Sequence, residues 1–303
     1  MAETPGFPWA YAIGSDGTPL FYESWGVADS RPALAYCDGI GCDGYVWRYL
    51  RESLADRRSV HPHYRGHGRT PAPADRQRVR IEDLADDLAA VLDDAKISRA
   101  VLVGHSMGVQ VALETFRRHR QRVAGLILVC GSPSHPLRTF RGSAALEELL
   151  PKIQRLTSRL PFVINQLTRW VLPTKLSYEI ATLLEIQRDL VRPADFMPYL
   201  EGMSRVDIRL FLSMLAAAGE HNAEDLLPSI DVPTLVISGA RDGFTPPERS
   251  RVMAGAIPNA TLVEIPDGSH TAPIERPQIV VDCIGEFLAT RCDSVQHLDS
   301  PPL

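Results

Sequence analysis

Residues 99–118, RAVLVGHSMGVQVALETFRR, constrain this chain more than any other stretch. Ala100, Val101, Leu102 and Val103 form a short run of small and β-branched apolar residues, the pattern of a strand buried on both faces. Gly104-His105-Ser106-Met107-Gly108 follows at once, and Val109, Ala112, Leu113 and Phe116 then recur at helical spacing. Strand, G-x-S-x-G and helix in immediate succession is the setting that a nucleophile elbow requires. A serine on so sharp a turn is held in a strained backbone, with Gly104 and Gly108 where any Cβ would collide with a neighbouring element. The helix start leaves backbone N–H groups free to face a developing anion. A bare G-x-S-x-G is common by chance. Bracketed by this strand and this helix, it makes Ser106 the candidate nucleophile.

The remaining composition narrows the class. With 303 residues, 45% of them hydrophobic, and no apolar run long enough to span a bilayer, the chain suits one large α/β domain with an insertion, or two small domains. A net charge of -5 gives no reason to expect a nucleic-acid partner. Arg117, Arg118, Arg120 and Arg122 cluster at a helix end and read as a solvated face. The opening MAETPGFPWAYA lacks the basic start and apolar core of a signal peptide. The 5 cysteines are odd in number and lack paired metal spacing, and Cys37-x4-Cys42 has no second pair to complete it. A reduced, cytoplasmic protein is the expectation.

In chain order, two strand-like runs flank Gly14-Ser15-Asp16-Gly17 as a hairpin, and a third run ends in Asp38-Gly39-Ile40-Gly41. A helical pattern over 45–56, a short strand over 59–63 and a glycine-rich turn from Tyr64 to Thr70 come next. Ile81, Leu84, Leu88, Val91 and Leu92 mark another helix; the elbow and a strand over 125–131 follow. Such alternation predicts a mostly parallel sheet covered by helices on both faces. From 133 to 220 the alternation stops. Leu146, Leu149, Leu150, Ile153, Leu156 and Leu160 form one helical stripe, and 162–172, 178–190 and 205–218 supply others, with Pro151, Pro161, Pro173, Pro193 and Pro198 read as interruptions. Strands resume at 233–238 and 260–265, with helices over 247–255 and 279–288. The expected organisation is an α/β core over 1–132 and 221–292, a helical cap insertion over 133–220, and a polar tail over 293–303 expected to be disordered.

A serine hydroxyl needs a base to take its proton, and the base needs a third group to orient it. Asp242, in Gly239-Ala240-Arg241-Asp242-Gly243, directly follows one late strand, and His270, in Asp267-Gly268-Ser269-His270, directly follows the other. In a parallel sheet the loops after 103, 238 and 265 all open on one edge. An aspartate in an Asp-Gly turn and a loop histidine are each ordinary alone. Together, in the order serine, acid, histidine, they complete a catalytic set. His105 is the weaker rival base, since its place beside Ser106 points it sideways. His61, His63 and His67 read as turn or ion-pair groups, because no carboxylate completes a metal-ligand set.

These motifs carry a resemblance to the α/β-hydrolase fold superfamily, specifically to its serine hydrolases with a helical cap. Gly104-His105-Ser106-Met107-Gly108 is similar to the family's elbow, Gly239-x-x-Asp242-x-x-x-Pro246 to its acid loop, Gly268-Ser269-His270 to its histidine loop, and Arg65-Gly66-His67-Gly68-Arg69-Thr70 to its R-G-x-G-x-S turn. The resemblance implies Ser106, Asp242 and His270 as the catalytic residues and the backbone N–H groups of Ile40 and Met107 as the oxyanion hole. Two positions depart from the family pattern: Asp38-Gly39 stands where His-Gly is usual, and His63 where an aspartate commonly pairs with the arginine two residues on. Asp38 thus brings a carboxyl near a site that must hold an anion, and His63 calls for local repacking. The expected activity is cofactor-independent hydrolysis of a carboxylic ester of a small, largely apolar substrate through an acyl-enzyme, with no metal. Thioesterase, lactonase, C–C bond hydrolase and perhydrolase chemistries stay open, as does a ligand sensor with little turnover. Trp47 and Trp170 are candidate pocket walls, with ordinary packing an equal alternative for each.

Overall fold

The computed structural model describes residues 8–293 apart from 140, 141, 185, 186 and 188. Its strands are β1 (Trp9–Ile13), β2 (Pro19–Trp25), β3 (Ala33–Cys37), β4 (Ser59–Pro62), β5 (Ala100–His105), β6 (Val123–Val129), β7 (Thr234–Gly239) and β8 (Thr261–Ile265). They form one eight-stranded sheet in the order β1-β2-β4-β3-β5-β6-β7-β8. β1 and β2 make an antiparallel hairpin and β2 meets β4 antiparallel; every pairing from β4 across to β8 is parallel. All the residues of β3, β5 and β7 are buried, as a strand covered on both faces demands.

Helices cover both faces. α1 (Arg48–Ser53) follows a 3-10 turn over Tyr45–Trp47, and α2 (Ile81–Asp94) and α3 (Met107–Arg118) come next in the chain. Side chains of α2 and α3 pack with Ala35 and Leu102 into one core, while Leu34, Tyr36, Val101 and Val103 point to the other face. That alternation along β3 and β5 is the two-residue period of a strand. Between β6 and β7 lie α4 (Pro136–Thr139), α5 (Ala145–Arg159), α6 (Pro161–Val171), α7 (Lys175–Leu184), α8 (Pro193–Arg205) and α9 (Ile208–Glu220). α10 (Pro247–Ala256) joins the first face; α11 (Ala272–Glu275) and α12 (Pro277–Phe287) follow β8, and Val280, Ile284 and Phe287 of α12 complete the second core.

The helical segment differs from its sequence reading in two respects. Pro161 and Pro193 start helices, but Pro151 and Pro198 lie inside α5 and α8. The carbonyls they leave unbonded belong to Glu147 and Ala194, neither of which is buried, so water can serve them. The stripe read over 205–218 also breaks: α8 ends at Arg205, and Asp207 caps α9 by accepting the N–H groups of Arg209 and Leu210. Of the expected disordered tail only Asp293 is described, held by the Arg57 guanidinium at 2.8 and 3.0 Å; 294–303 lie outside the described residues.

Candidate active site

β5 ends at His105, and the chain turns through Ser106 into α3 with φ 56° and ψ −120° at the serine. Non-glycine residues enter that region only under constraint. The constraint is close packing: a Cβ on Gly104 would strike the Gly108 carbonyl, and one on Gly108 would strike the carbonyl of Cys37 in β3. Ser106 is thereby lifted to the carboxyl edge of the sheet, at the mouth of the β3, β7 and β8 loops.

Two of those loops deliver the other candidate residues. Ser106 Oγ lies 2.9 Å from His270 Nε2, and His270 Nδ1 lies 3.0 Å from Asp242 Oδ2. The buried Asp242 carboxylate also accepts the N–H groups of Phe244 and Thr245 at 2.9 and 2.8 Å and the Thr245 hydroxyl at 2.8 Å. With those lone pairs engaged the carboxylate cannot rotate, and it meets an Nδ1–H, leaving the Nε2 lone pair toward Ser106. Phe244 stacks on the imidazole with centroids 4.9 Å apart. Glu275 of α11 grips the loop from below, accepting both the N–H and the hydroxyl of Ser269 at 2.6 Å. His105 faces the His270 backbone carbonyl, 2.8 Å from its Nε2, rather than the serine hydroxyl. Burial and the neighbouring His270 push the His105 pKa down to about 4, so it is a neutral donor there.

The loop after β3 forms the opposite wall. Ile40 and Met107 both line the cavity beside Ser106. Tyr64 donates to the Asp38 carbonyl at 3.0 Å, and the Gly41 N–H donates to His67 Nε2 at 3.1 Å. His67 Nδ1 stands 3.0 Å from the Arg65 carbonyl, so that nitrogen carries the proton, and burial keeps the ring neutral. The turn from Tyr64 to Thr70 therefore holds the Ile40 peptide from two sides.

Both departures from the family pattern find partners. The Asp38 carboxylate turns away to His61 Nε2 at 2.8 Å. Burial opposes both charges, yet the pair's mutual attraction prevails, raising the His61 pKa to about 9 and lowering that of Asp38. Arg65, fully buried, takes Asp87 through both carboxylate oxygens at 2.6 and 2.7 Å and Asp16 at 2.5 Å. His63 instead accepts the Arg69 N–H at 3.0 Å and packs on Phe21; burial pushes its pKa down to about 3. Contrary to the sequence reading, a carboxylate does join the histidines: Glu23 of β2 offers an oxygen within 4.8 Å of His61 and His63. The Glu23 oxygen that faces His61 is already paired with the Arg51 guanidinium at 2.6 Å.

The cavity holds about 190 Å³ and is walled chiefly by apolar side chains, among them Leu137, Leu146, Phe211 and Leu215, with Gln110, Ser132, Tyr199 and Thr245 adding polar groups beside Ser106. Neither candidate tryptophan lines it. Trp47 is buried on the other side of the sheet, its ring 5.5 Å from that of Tyr36, and Trp170 is 79% exposed on α6. A larger open groove, about 750 Å³, borders the starts of β3 and β6 at the opposite edge of the sheet and does not reach Ser106.

The family model of the alpha/beta hydrolase fold matches residues 32–277. The chain belongs to that family. Among solved structures, this alpha/beta hydrolase is similar to the enol-lactonase from Burkholderia xenovorans LB400, at 26% identity with TM-score 0.73, covering 92% of this chain and 100% of that one. It is likewise similar to a thermophilic esterase from Thermogutta terrifontis, at 27% identity with TM-score 0.71, covering 93% and 98%. In sequence it is 25% identical over 275 residues to 3-oxoadipate enol-lactonase 2 of Acinetobacter baylyi, covering 90% of this chain and 94% of the relative.

The sequence alone does not single out several residues of the candidate site. Thr245, three positions after Asp242, has the spacing of a local turn that an aspartate side chain can organise. Nothing in the sequence marks Glu275 or Tyr64, whose partners depend on how distant loops meet.

Proposed function

We propose that the protein is a serine hydrolase that cleaves carboxylic esters through an acyl-enzyme. The supporting observation is the run of contacts from Asp242 through His270 to Ser106, at 3.0 and 2.9 Å, opening on an apolar cavity. His270 takes the Ser106 proton as Oγ attacks the ester carbonyl, and Asp242 holds the ring and stabilises the imidazolium. The N–H groups of Ile40 and Met107 receive the charge on the tetrahedral oxygen. His270 then protonates the departing alcohol, and it activates a water that releases the acid and restores Ser106. The segment over 133–220 acts as the cap: Leu137, Leu146, Phe211 and Leu215 of this segment surround the acyl group, favouring short, apolar chains.

A lactone, an ester closed on itself, is the second reading, favoured by the likeness to two enol-lactonases. Hydrolysis of p-nitrophenyl butyrate by the parent and by Ser106→Ala tests the first step. The variant should fold and lose roughly 10⁴–10⁶ in kcat; turnover within about tenfold of the parent removes Ser106 from the mechanism. A panel of acyl esters, thioesters and lactones at equal concentration then ranks the bond types.

A further inference from the structure

We propose that the outer face of the helical segment, carried by α5, α6 and α7, docks on the surface of an anionic phospholipid bilayer. No residue of α6 is buried. Val163, Leu167, Trp170 and Val171 share one face of it, at i, i+4, i+7 and i+8, and all are exposed. Phe162 at the start of the helix is 74% exposed. α5 buries only Leu150 and Thr157, leaving Leu149, Leu156 and Leu160 on its outer shoulder, and Leu176 and Ile180 of α7 extend the apolar surface. α5 rests on α9, and α6 and α7 rest on α8, so these three helices form the outer layer. A water-soluble surface rarely carries so much contiguous apolar side chain without a partner.

The charges on the same helices identify the partner. Lys152, Arg155, Arg159, Arg169 and Lys175 are all exposed, and none forms an ion pair among the described residues. The acids there are Glu147, Glu148 and Glu179, and Glu147 is already paired with Arg138. This cationic excess sits within a chain of net charge -5. Lys152 and Arg159 follow Leu149 and Leu156 by three positions, so each cation borders an apolar side chain on the helix surface. Aromatic and aliphatic groups flanked by basic ones match a bilayer headgroup boundary: rings and branches enter the acyl margin while the cations meet phosphate. A second copy docked symmetrically would set the same positive excess against itself, which favours lipid. No helix among the described residues is long and apolar enough to cross a membrane, so the contact is with the surface. α5 also lends Leu146 to the cavity, so the docking face and the candidate active site share a helix.

Co-sedimentation of the full chain with vesicles tests the proposal, and it is read without any turnover, so it stands apart from the ester reading. Binding is expected to vesicles of phosphatidylcholine mixed with phosphatidylglycerol, to weaken with added salt, and to be far lower on phosphatidylcholine alone. Leu167→Ser with Trp170→Ser should lower the partition at least about tenfold, and Arg159→Glu with Arg169→Glu at least about twentyfold. All four positions are exposed, so circular dichroism and hydrolysis of a soluble ester should match the parent. Absence of binding to the mixed vesicles, or binding that both double variants retain, overturns the proposal. So does a dimer in sedimentation equilibrium that the Leu167→Ser, Trp170→Ser pair dissolves, which would assign the face to a second copy.

Discussion

At the scale of single residues, the sharpest question is which carboxylate serves His270. Asp242 meets its Nδ1 and is itself fixed by Phe244 and Thr245, whereas Asp267, nearer in sequence, is paired with Arg276. Asp242→Asn should therefore cost roughly 10³–10⁴ in kcat near neutral pH, by removing the charge and offering the wrong tautomer a partner. Asp267→Asn should cost less than about tenfold. Steady-state kinetics of both on one ester decide the matter; the reverse ranking would make Asp267 the orienting acid. A second residue-scale expectation follows from the Ser106 torsion, φ 56°. Alanine at this position keeps the strain, while glycine relieves it at some cost in unfolded-chain entropy. Ser106→Gly should be inactive yet more stable than Ser106→Ala, by on the order of 1 kcal/mol. Equal urea midpoints for the two would show that the elbow is not strained.

At the scale of elements, α9 depends on one cap. Asp207 accepts two α9 N–H groups and pairs with Arg76 at 3.1 Å, so Asp207→Ala should destabilise the protein by about 1 kcal/mol. Asp207→Asn should retain most of that stability, because an amide oxygen also caps; thermal melting of the two variants checks the order. The α8–α9 break illustrates what a sequence shows and hides. Val206 and Asp207 interrupt a continuous apolar stripe with no glycine, and Asp207 declares itself a cap only once Arg209 and Leu210 are seen to donate to it. The strands are more legible. β3, β5 and β7 are short apolar runs with a glycine or an acid at or next to the strand end, so the positions of Ser106 and Asp242 just after strands follow from pattern alone. Contacts between elements far apart in sequence are not legible in this way: Arg65 finds Asp16 and Asp87, and Glu23 meets His61 only because β2 and β4 pair in this register. Trp47 and Trp170 do not line the cavity, because one is buried against Tyr36 and the other is exposed on α6, a difference that residue type alone does not carry.

At the scale of the whole molecule, the buried Asp38–His61 pair ties stability to pH. The folded His61 pKa, about 9, lies above its unfolded value of 6.5, so its contribution is complete below about 6.5 and lost as pH rises through 9. Asp38 is shifted the other way, so its share is present above 3.8 and lost as acid is added below that. Melting temperature should accordingly fall between pH 6.5 and 9 in the parent, and His61→Gln should flatten that fall; an unchanged slope would place its cause elsewhere. The sheet order has a further bearing on durability. Ser106 rides on an interior strand, but His270 hangs from β8, which has only β7 for a neighbour and is largely half-buried. An outermost strand with one partner can detach while the rest of the sheet persists. In graded urea, catalytic function should therefore disappear at a lower concentration than far-ultraviolet ellipticity, with the imidazole drifting away from a serine still seated on intact backbone.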